Sequence, residues 1–360
     1  MNKAFRRSTA LVAVIAATSL VVFAATATGG NAKKSANAQV AVLLPDSQSS
    51  VRWETADRPF LAAAFKKAGL TSSIVNAQGS ATTQQTQAEQ AITNGAKVIL
   101  LVNLDSGSGA AIEKNAASHG VKVIDYDRLT LKGKASFYVS FDNVKVGKLQ
   151  GQGLVSCLKA SGKYGSHPVI AELNGSPTDN NATLFKQGYD SVLKPLYAKG
   201  VFKKGPDQSV PDWDNQKALT IFEQMLQRTG NKIDGVDAAN DGLGNAVISA
   251  LKARHLAKLP VTGQDATSQG IQNILSGDQC MTVYKAVRTE ANAAAKLAIS
   301  LLKGGKTGVN NKVSDGTRNV PSVLATPVAI TKANWDFPIK DGYLKRKDVC
   351  NGKYAALCKK

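Results

Sequence analysis

Short apolar β runs alternate with amphipathic helical stretches along most of this chain, and that alternation constrains its fold more than any other feature. A β run, a helix and a further β run close most readily as parallel strands with the helix packed on one face. Residues 40–44 read as the first strand and 54–68 as its helix, with Phe60, Leu61, Ala64 and Phe65 on one face. Strand 73–76 with helix 83–94, and strand 98–102 with helix 109–119, repeat the unit. Two further β runs, 122–128 and 137–143, follow, and the second passes directly into a helical stretch from Val144. A second series then begins, with strands near 168–173, 235–239, 261–263 and 281–284. Its helices lie near 183–196, 216–228, 244–253 and 268–275; an Ala-rich helix at 289–302 and a β run at 327–330 close the pattern. With 360 residues there is enough chain for two such α/β halves, each with its own core. Two similar halves without a catalytic signature favour a two-lobed clamp.

The first 38 residues stand outside this pattern. Lys3, Arg6 and Arg7 precede an uncharged, largely apolar run over 11–27, and Ala25-Thr-Ala27 offers a small-residue cleavage site, with later candidates up to Ala38. A retained anchor competes, because the run is nearly long enough to span a bilayer. Its many Ala and Thr make it weakly hydrophobic, and no Cys follows it to carry a lipid. The expectation is an exported chain, periplasmic or extracellular and soluble after cleavage. A net charge of +19 raises nucleic acid as a partner, but the Lys residues are scattered and form no basic run, as a solvated surface does. No nucleic-acid partner is expected.

Cys157, Cys280, Cys350 and Cys358 suit an oxidising compartment, and four cysteines allow three pairings. Cys350 and Cys358 flank a short loop with a turn signal, which favours a local staple and leaves Cys157 with Cys280. A metal site is disfavoured: there is no CxxC, and His119, His167 and His255 are far from any cysteine in sequence.

The chemistry concentrates at the turns that follow strands. Such turns carry Arg52-Trp53, Asp127-Arg128, Asp179-Asn-Asn181, Asp212-Trp-Asp214, Asn240-Asp241, Gln264-Asp265 and Tyr284-Lys285. Carboxylates accept from sugar hydroxyls, cations and amides donate to ring and hydroxyl oxygens, and an indole covers the C–H face of a ring. Singly, an Asp or Asn after a strand is more often a helix cap, and Trp53 or Trp213 more often core. Their recurrence at the same ends of successive strands raises the ligand reading, because open parallel sheets meet ligands there.

Asp127-Arg128, Phe141-Asp-Asn143 and Gly175-Ser-Pro-Thr-Asp-Asn-Asn181 resemble the xylose-binding branch of the type I, ribose-binding-protein-like solute-binding proteins that serve bacterial ABC importers. The likeness covers about 40–343 and departs at the cysteine-bearing tail. It implies two Rossmann-like lobes joined by a three-crossover hinge near 141, 286 and 324. The first lobe would hold 39–140 with 287–323, the second 141–286 with 324–360 and both cysteine pairs. It also implies ligand contacts at Arg52, Trp53, Asp127, Arg128, Asn181, Trp213, Asn240, Asp241, Asp265 and Lys285. The expected ligand is a monosaccharide, D-xylose first. The partners would be the membrane permease subunits of an importer, with the binding protein itself a monomer.

Rival functions find less support. Gly107-Ser-Gly109 and Gly242-Leu-Gly244 lack the third glycine of a dinucleotide fingerprint, and neither a G-x-S-x-G elbow, a P-loop nor an HExxH occurs. No cofactor is expected. A glycosidase would need two acids across a sugar, for which Asp127 and Asp265 are the candidates. A sugar sensor, or a presenter of sugar to a chemoreceptor, is the other alternative. The cations Arg52, Arg58, Arg128 and Lys285 suggest an anionic ligand, but Asp127, Asp241 and Asp265 at the same turns bring the site near neutrality and favour an uncharged aldose.

Overall fold

A computed structural model of the chain describes residues 37–359. Residues 1–36 of the expected leader lie outside the described residues. The first series comprises β1 (Val40–Leu44), α1 (Arg58–Lys67), β2 (Ser72–Asn76), α2 (Ala81–Thr93), β3 (Val98–Leu101), α3 (Ser106–Ser118), β4 (Lys122–Tyr126) and β5 (Phe137–Phe141). Next come α4 (Asn143–Ala160), β6 (Val169–Asn174), α5 (Asn180–Ala198), β7 (Lys203–Ser209), α6 (Asn215–Arg228) and β8 (Gly235–Ala238). Then follow α7 (Asp241–Ala253), α8 (Ser268–Ser276), β9 (Thr282–Tyr284), α9 (Val287–Lys303), β10 (Asn311–Ser314), β11 (Asn319–Ala325) and β12 (Val328–Ile330).

Seven strands form one sheet in the order β10-β11-β5-β4-β3-β1-β2, parallel except for the β10–β11 pair. β1 is buried on both faces, which is why it reads as an unbroken apolar run. Val40, Val42 and Leu44 face Leu61 and Phe65 of α1 and Ala294 and Leu297 of α9, whereas Ala41 and Leu43 face Ala88 of α2 and Ile112 and Ala116 of α3. A helix from late in the sequence therefore completes the core of the first sheet. The second sheet carries β7-β6-β8 in parallel, extended by a bridge from Val236 to Val261, and β12 pairs antiparallel with β9 nearby. Helices α4 and α5 cross so closely that a Cβ on Gly147 would fall 1.9 Å from the Phe185 carbonyl oxygen. The chain passes between the two sheet systems after β5, after β9 and after β11.

Periodicity does not mark β7, β10 or β11. β7 is the half-exposed edge strand Lys-Lys-Gly-Pro-Asp-Gln-Ser, and Gly205 and Pro206 together stand opposite Ala171. Such a bulge at an edge tolerates a proline that a central strand would exclude. β10 is likewise a polar edge, and Pro321 interrupts the β signal of β11. The cysteines pair as Cys157–Cys280 and Cys350–Cys358. The stapled tail docks on α8, where the Gln272 amide donates to the Val349 carbonyl at 3.0 Å. No helix among the described residues is long and apolar enough to cross a membrane.

Candidate functional site

The carboxyl ends of β1, β3 and β4 form one wall of a cleft. After β1 the chain turns on Asp46, whose carboxylate accepts from the Ser49 amide at 2.5 Å and hydroxyl at 2.8 Å. That turn presents the Ser49 hydroxyl to the Trp53 indole N–H (3.0 Å) and delivers Arg52 inward. Arg52 is 1% exposed and grips Asp57 through two bonds (2.8 and 2.7 Å), Asp127 at 2.8 Å and Glu290 of α9 at 2.6 Å. Burial alone would weaken its charge, but Asp57, Glu290 and Asp127 together hold its pKa well above the ordinary value. The guanidinium also lies 4.7 Å from the Trp53 ring centre. Arg128 donates from Nε to Asp179 at 3.0 Å, linking this wall to the next.

The opposite wall is made of helix starts and strand ends from the second sheet. Asp179 caps α5 through one oxygen (2.9 Å to the Asn181 amide), and its other oxygen accepts from Arg128 and from the Trp213 indole (3.1 Å). Asn240 does the same for α7: its oxygen caps Leu243 at 2.8 Å while its nitrogen reaches the Ser49 carbonyl at 3.3 Å. Capping and cleft contact are thus two halves of one side chain's work. Asn181 donates to both the side chain and the carbonyl of Asp127, each at 3.0 Å. Asp265 accepts from Gln264 at 2.8 Å and from Ser50 across the cleft at 2.9 Å. Between the walls, Lys285 lies 3.6 Å from Asp127 and 3.5 Å from Asp265.

These groups converge on one cavity of about 30 Å³, room for a water or two. Arg52, Trp53, Asp127, Arg128, Asn181, Trp213, Asn240, Asp265 and Lys285 all line it, with three cations facing three carboxylates once Asp179 is included. Burial opposes the Asp127 charge, yet Lys285, Arg52 and Arg128 outweigh it and keep its carboxyl below the usual range. An acid held ionised in this way is unsuited to donating a proton. Asp127, Trp213 and Asp265 adopt φ of 62°, 56° and 97°, a region that non-glycine residues rarely occupy. Positive φ also occurs at Gln78, Lys132, His167, Asn231 and His255 away from the cavity, so it accompanies the site without defining it.

Asp241 is the exception. It does not line the cavity. Its buried carboxylate accepts from Gln279 and Thr282 at 2.8 Å and from the Thr267 amide at 2.8 Å, tying α7 to β9 and to the start of α8. Burial is the main cause that pushes its pKa up to about 7. Arg58 is also elsewhere, paired with Glu54 outside the cleft. Trp213 is both wall and core: it is 5% exposed, stands edge-on to Phe185 at 6.3 Å and fills the space that a Cβ on Gly175 would take. Ser49, Ser50, Asp179, Phe185 and Gln264 line the cavity without having been singled out from sequence. Asp179 and Gln264 stand in the marked turns beside residues that were chosen. The side-chain amide oxygen Oε1 of Gln264 is buried without a partner among the described residues, a free acceptor on a residue of the cavity wall. No group of metal-binding side chains occurs among the described residues.

A family model described as "Periplasmic binding protein domain" matches residues 40–307. The D-xylose-binding periplasmic protein of Escherichia coli is 37% identical over 300 residues, covering 83% of this chain and 88% of that protein. The multiple sugar-binding periplasmic receptor ChvE of Rhizobium radiobacter is 34% identical over 280 residues, 73% of this chain and 78% of its own. Among solved structures, an ABC transporter solute-binding protein from Clostridium phytofermentans with bound β-D-glucose superposes with a TM-score of 0.80 at 30% identity, covering 86% of this chain and 99% of that one.

Proposed function

Because the chain belongs to the periplasmic binding protein family, whose members bind solutes and are not enzymes, we propose that it captures a neutral monosaccharide, D-xylose foremost, for a bacterial ABC importer. The carrying observation is that nine of the turn residues reach one cavity from two walls, where, with Asp179, three cations meet three carboxylates. A polyol without charge suits such a balance, since each hydroxyl both donates and accepts. The names of the xylose-binding relatives support the pentose, and the glucose-bound neighbour supports an aldohexose as the second reading.

In this reading residues 39–140 with 287–323 move as one lobe and 141–286 with 324–360 as the other, hinged at the three crossovers. Opening frees Asp127, Arg128, Asn181, Asn240 and Asp265 from one another, and the sugar then takes their places as partner on closing. The ligand binds the closed form better and so shifts the population toward it, which is what permease subunits must recognise. The protein works as a monomer outside the cytoplasm, after loss of its leader. Titration with a panel of pentoses and hexoses, read by the fluorescence of Trp53 and Trp213, tests the reading: saturable binding of D-xylose supports it, and no response to any aldose overturns it.

A further inference from the structure

A chamber of about 620 Å³ lies beside the central cavity on the side of the stapled tail, and Ser49, Ser50, Asn240 and Asp265 line both spaces. Its walls come from three parts of the chain: the turn after β1, the starts of α6, α7 and α8, and residues 343–348 of the tail. The side chains of Gln48, Asn215, Ser268, Tyr343 and Lys345 face this space and make no hydrogen bond or ion pair among the described residues. Asn245 uses only its oxygen, accepting from Asn273 at 2.5 Å, and leaves its amide donors unspent.

The opposite flank of the cavity differs. A chamber of about 290 Å³ lies there, and apart from Gln48, which lines both chambers, it holds side chains that are paired with one another: Ser47 with Gln78 at 3.0 Å, Ser108 with Asp105 at 2.6 Å on its rim, Asp212 with Lys217 at 2.7 Å. Unspent donors and acceptors on three walls, with one aromatic ring among them, suit a solute that carries hydroxyls around an apolar ring face. The tail-side chamber is also within the size range of small-molecule sites, roughly 300–1,000 Å³.

We propose that the tail-side chamber is a second subsite, holding the next sugar unit of a short oligosaccharide whose first ring lies in the central cavity. It rests on the sugar-binding reading above and extends the substrate class from monosaccharide to disaccharide. Beyond residue 343, where the chain departs from the family likeness, Leu344, Lys345 and Asp348 acquire a role in the wall of that subsite.

Calorimetric titration with D-xylose and with xylobiose, and in parallel with D-glucose and cellobiose, tests it. A monosaccharide and its disaccharide should both bind to the wild type. Ser268→Trp places an indole in the chamber from a partly exposed helix start; it should weaken the disaccharide about ten-fold or more while the monosaccharide changes less than about two-fold. Tyr343→Phe should weaken only the disaccharide, by about three-fold. Monosaccharide binding without disaccharide binding overturns the second subsite and leaves the monosaccharide reading standing. So does disaccharide binding that both variants leave untouched, or that both weaken no more than the monosaccharide. Binding of neither class overturns both readings.

Discussion

The two walls of the cleft are built on different principles. On the first, Arg52 is locked among Asp57, Asp127 and Glu290 with almost no exposure, and the Tyr126 hydroxyl adds a bond to Asp57 at 2.5 Å. All four of Arg52's bonds to side chains stay within its own wall, and only Asp127 also accepts from across the cleft. On the second, Asn181, Asn240 and Asp265 spend one atom locally and aim another at Asp127, Ser49 or Ser50 across the gap. One wall is a preassembled ionic platform, the other a set of fingers whose partners would change on the proposed opening of the gap. A site that must both hold its shape and release its ligand needs this division, because a rigid platform orients and only exchangeable contacts can couple binding to closure.

The largest effect should come from breaking the platform. Arg52→Met leaves the buried carboxylates of Asp57 and Glu290 without their paired cation, takes one of three from Asp127, and should cost roughly 3–5 kcal/mol of stability, read by urea denaturation. Survival of the variant with wild-type stability would place Arg52 among the fingers. Next, the body behind the second wall is held covalently where the first is held by ions. Removing the Cys157–Cys280 link, which joins the last turn of α4 to the segment just before β9, should cost about 2–4 kcal/mol, and Cys350–Cys358, closing a much shorter loop, should cost less. Paired Cys→Ala variants compared in one denaturation series check the order.

A finger should behave the other way round. Asp265→Asn keeps the side chain's shape but loses a charged acceptor, so sugar binding should weaken by about 1–3 kcal/mol while the melting temperature stays near wild type. The loss should appear mainly as faster release in stopped-flow, since the platform still captures the sugar. A large fall in melting temperature with unchanged affinity would reverse the assignment.

The smallest effect is on pH dependence, and it too separates the halves. Burial raises Asp237 to about 8 and Asp241 to about 7, both behind the second wall. The folded state therefore holds protons that the unfolded chain has released, so their contribution to stability is full below the ordinary carboxyl range, near pH 4, and is lost as pH rises to about 8. Asp237→Asn, which mimics the protonated acid, should flatten that decline by a few degrees in Tm, at about 2–4 °C per kcal/mol for a domain of this size. An identical slope in the variant would show that Asp237 titrates normally.

Much of this was legible from residue order. The alternation marked the strands that bear the site because those strands are buried on both faces and leave continuous apolar runs. The edge strands β7 and β10 escaped because one side of each faces water, so nothing forces an apolar pattern on them, and β11, paired on both sides, escaped because Pro321 breaks its β signal. At the site, Asp127, Asn181, Asn240, Asp265 and Lys285 could be found from their position after strands. Asp241 has the same position and a different fate: one residue further round the start of α7, its side chain turns into the core. Asp179 and Gln264 were hidden by stronger neighbours in their own turns. The left-handed backbone at Asp127, Trp213 and Asp265 leaves no compositional trace, because none is glycine. Trp213 was expected to be a pocket residue rather than core and proves to be both, so its removal should lower stability together with affinity.

Small-angle scattering during a D-xylose titration probes the closing of the two walls most directly. A cavity of about 30 Å³ cannot admit a sugar unless the walls part, so the proposed binding requires an open form of the free protein that bound sugar draws closed. The radius of gyration should fall as D-xylose is added and level off at the same concentration as the tryptophan fluorescence. A radius of gyration that stays constant while fluorescence reports saturated binding would contradict closure of two lobes around the ligand.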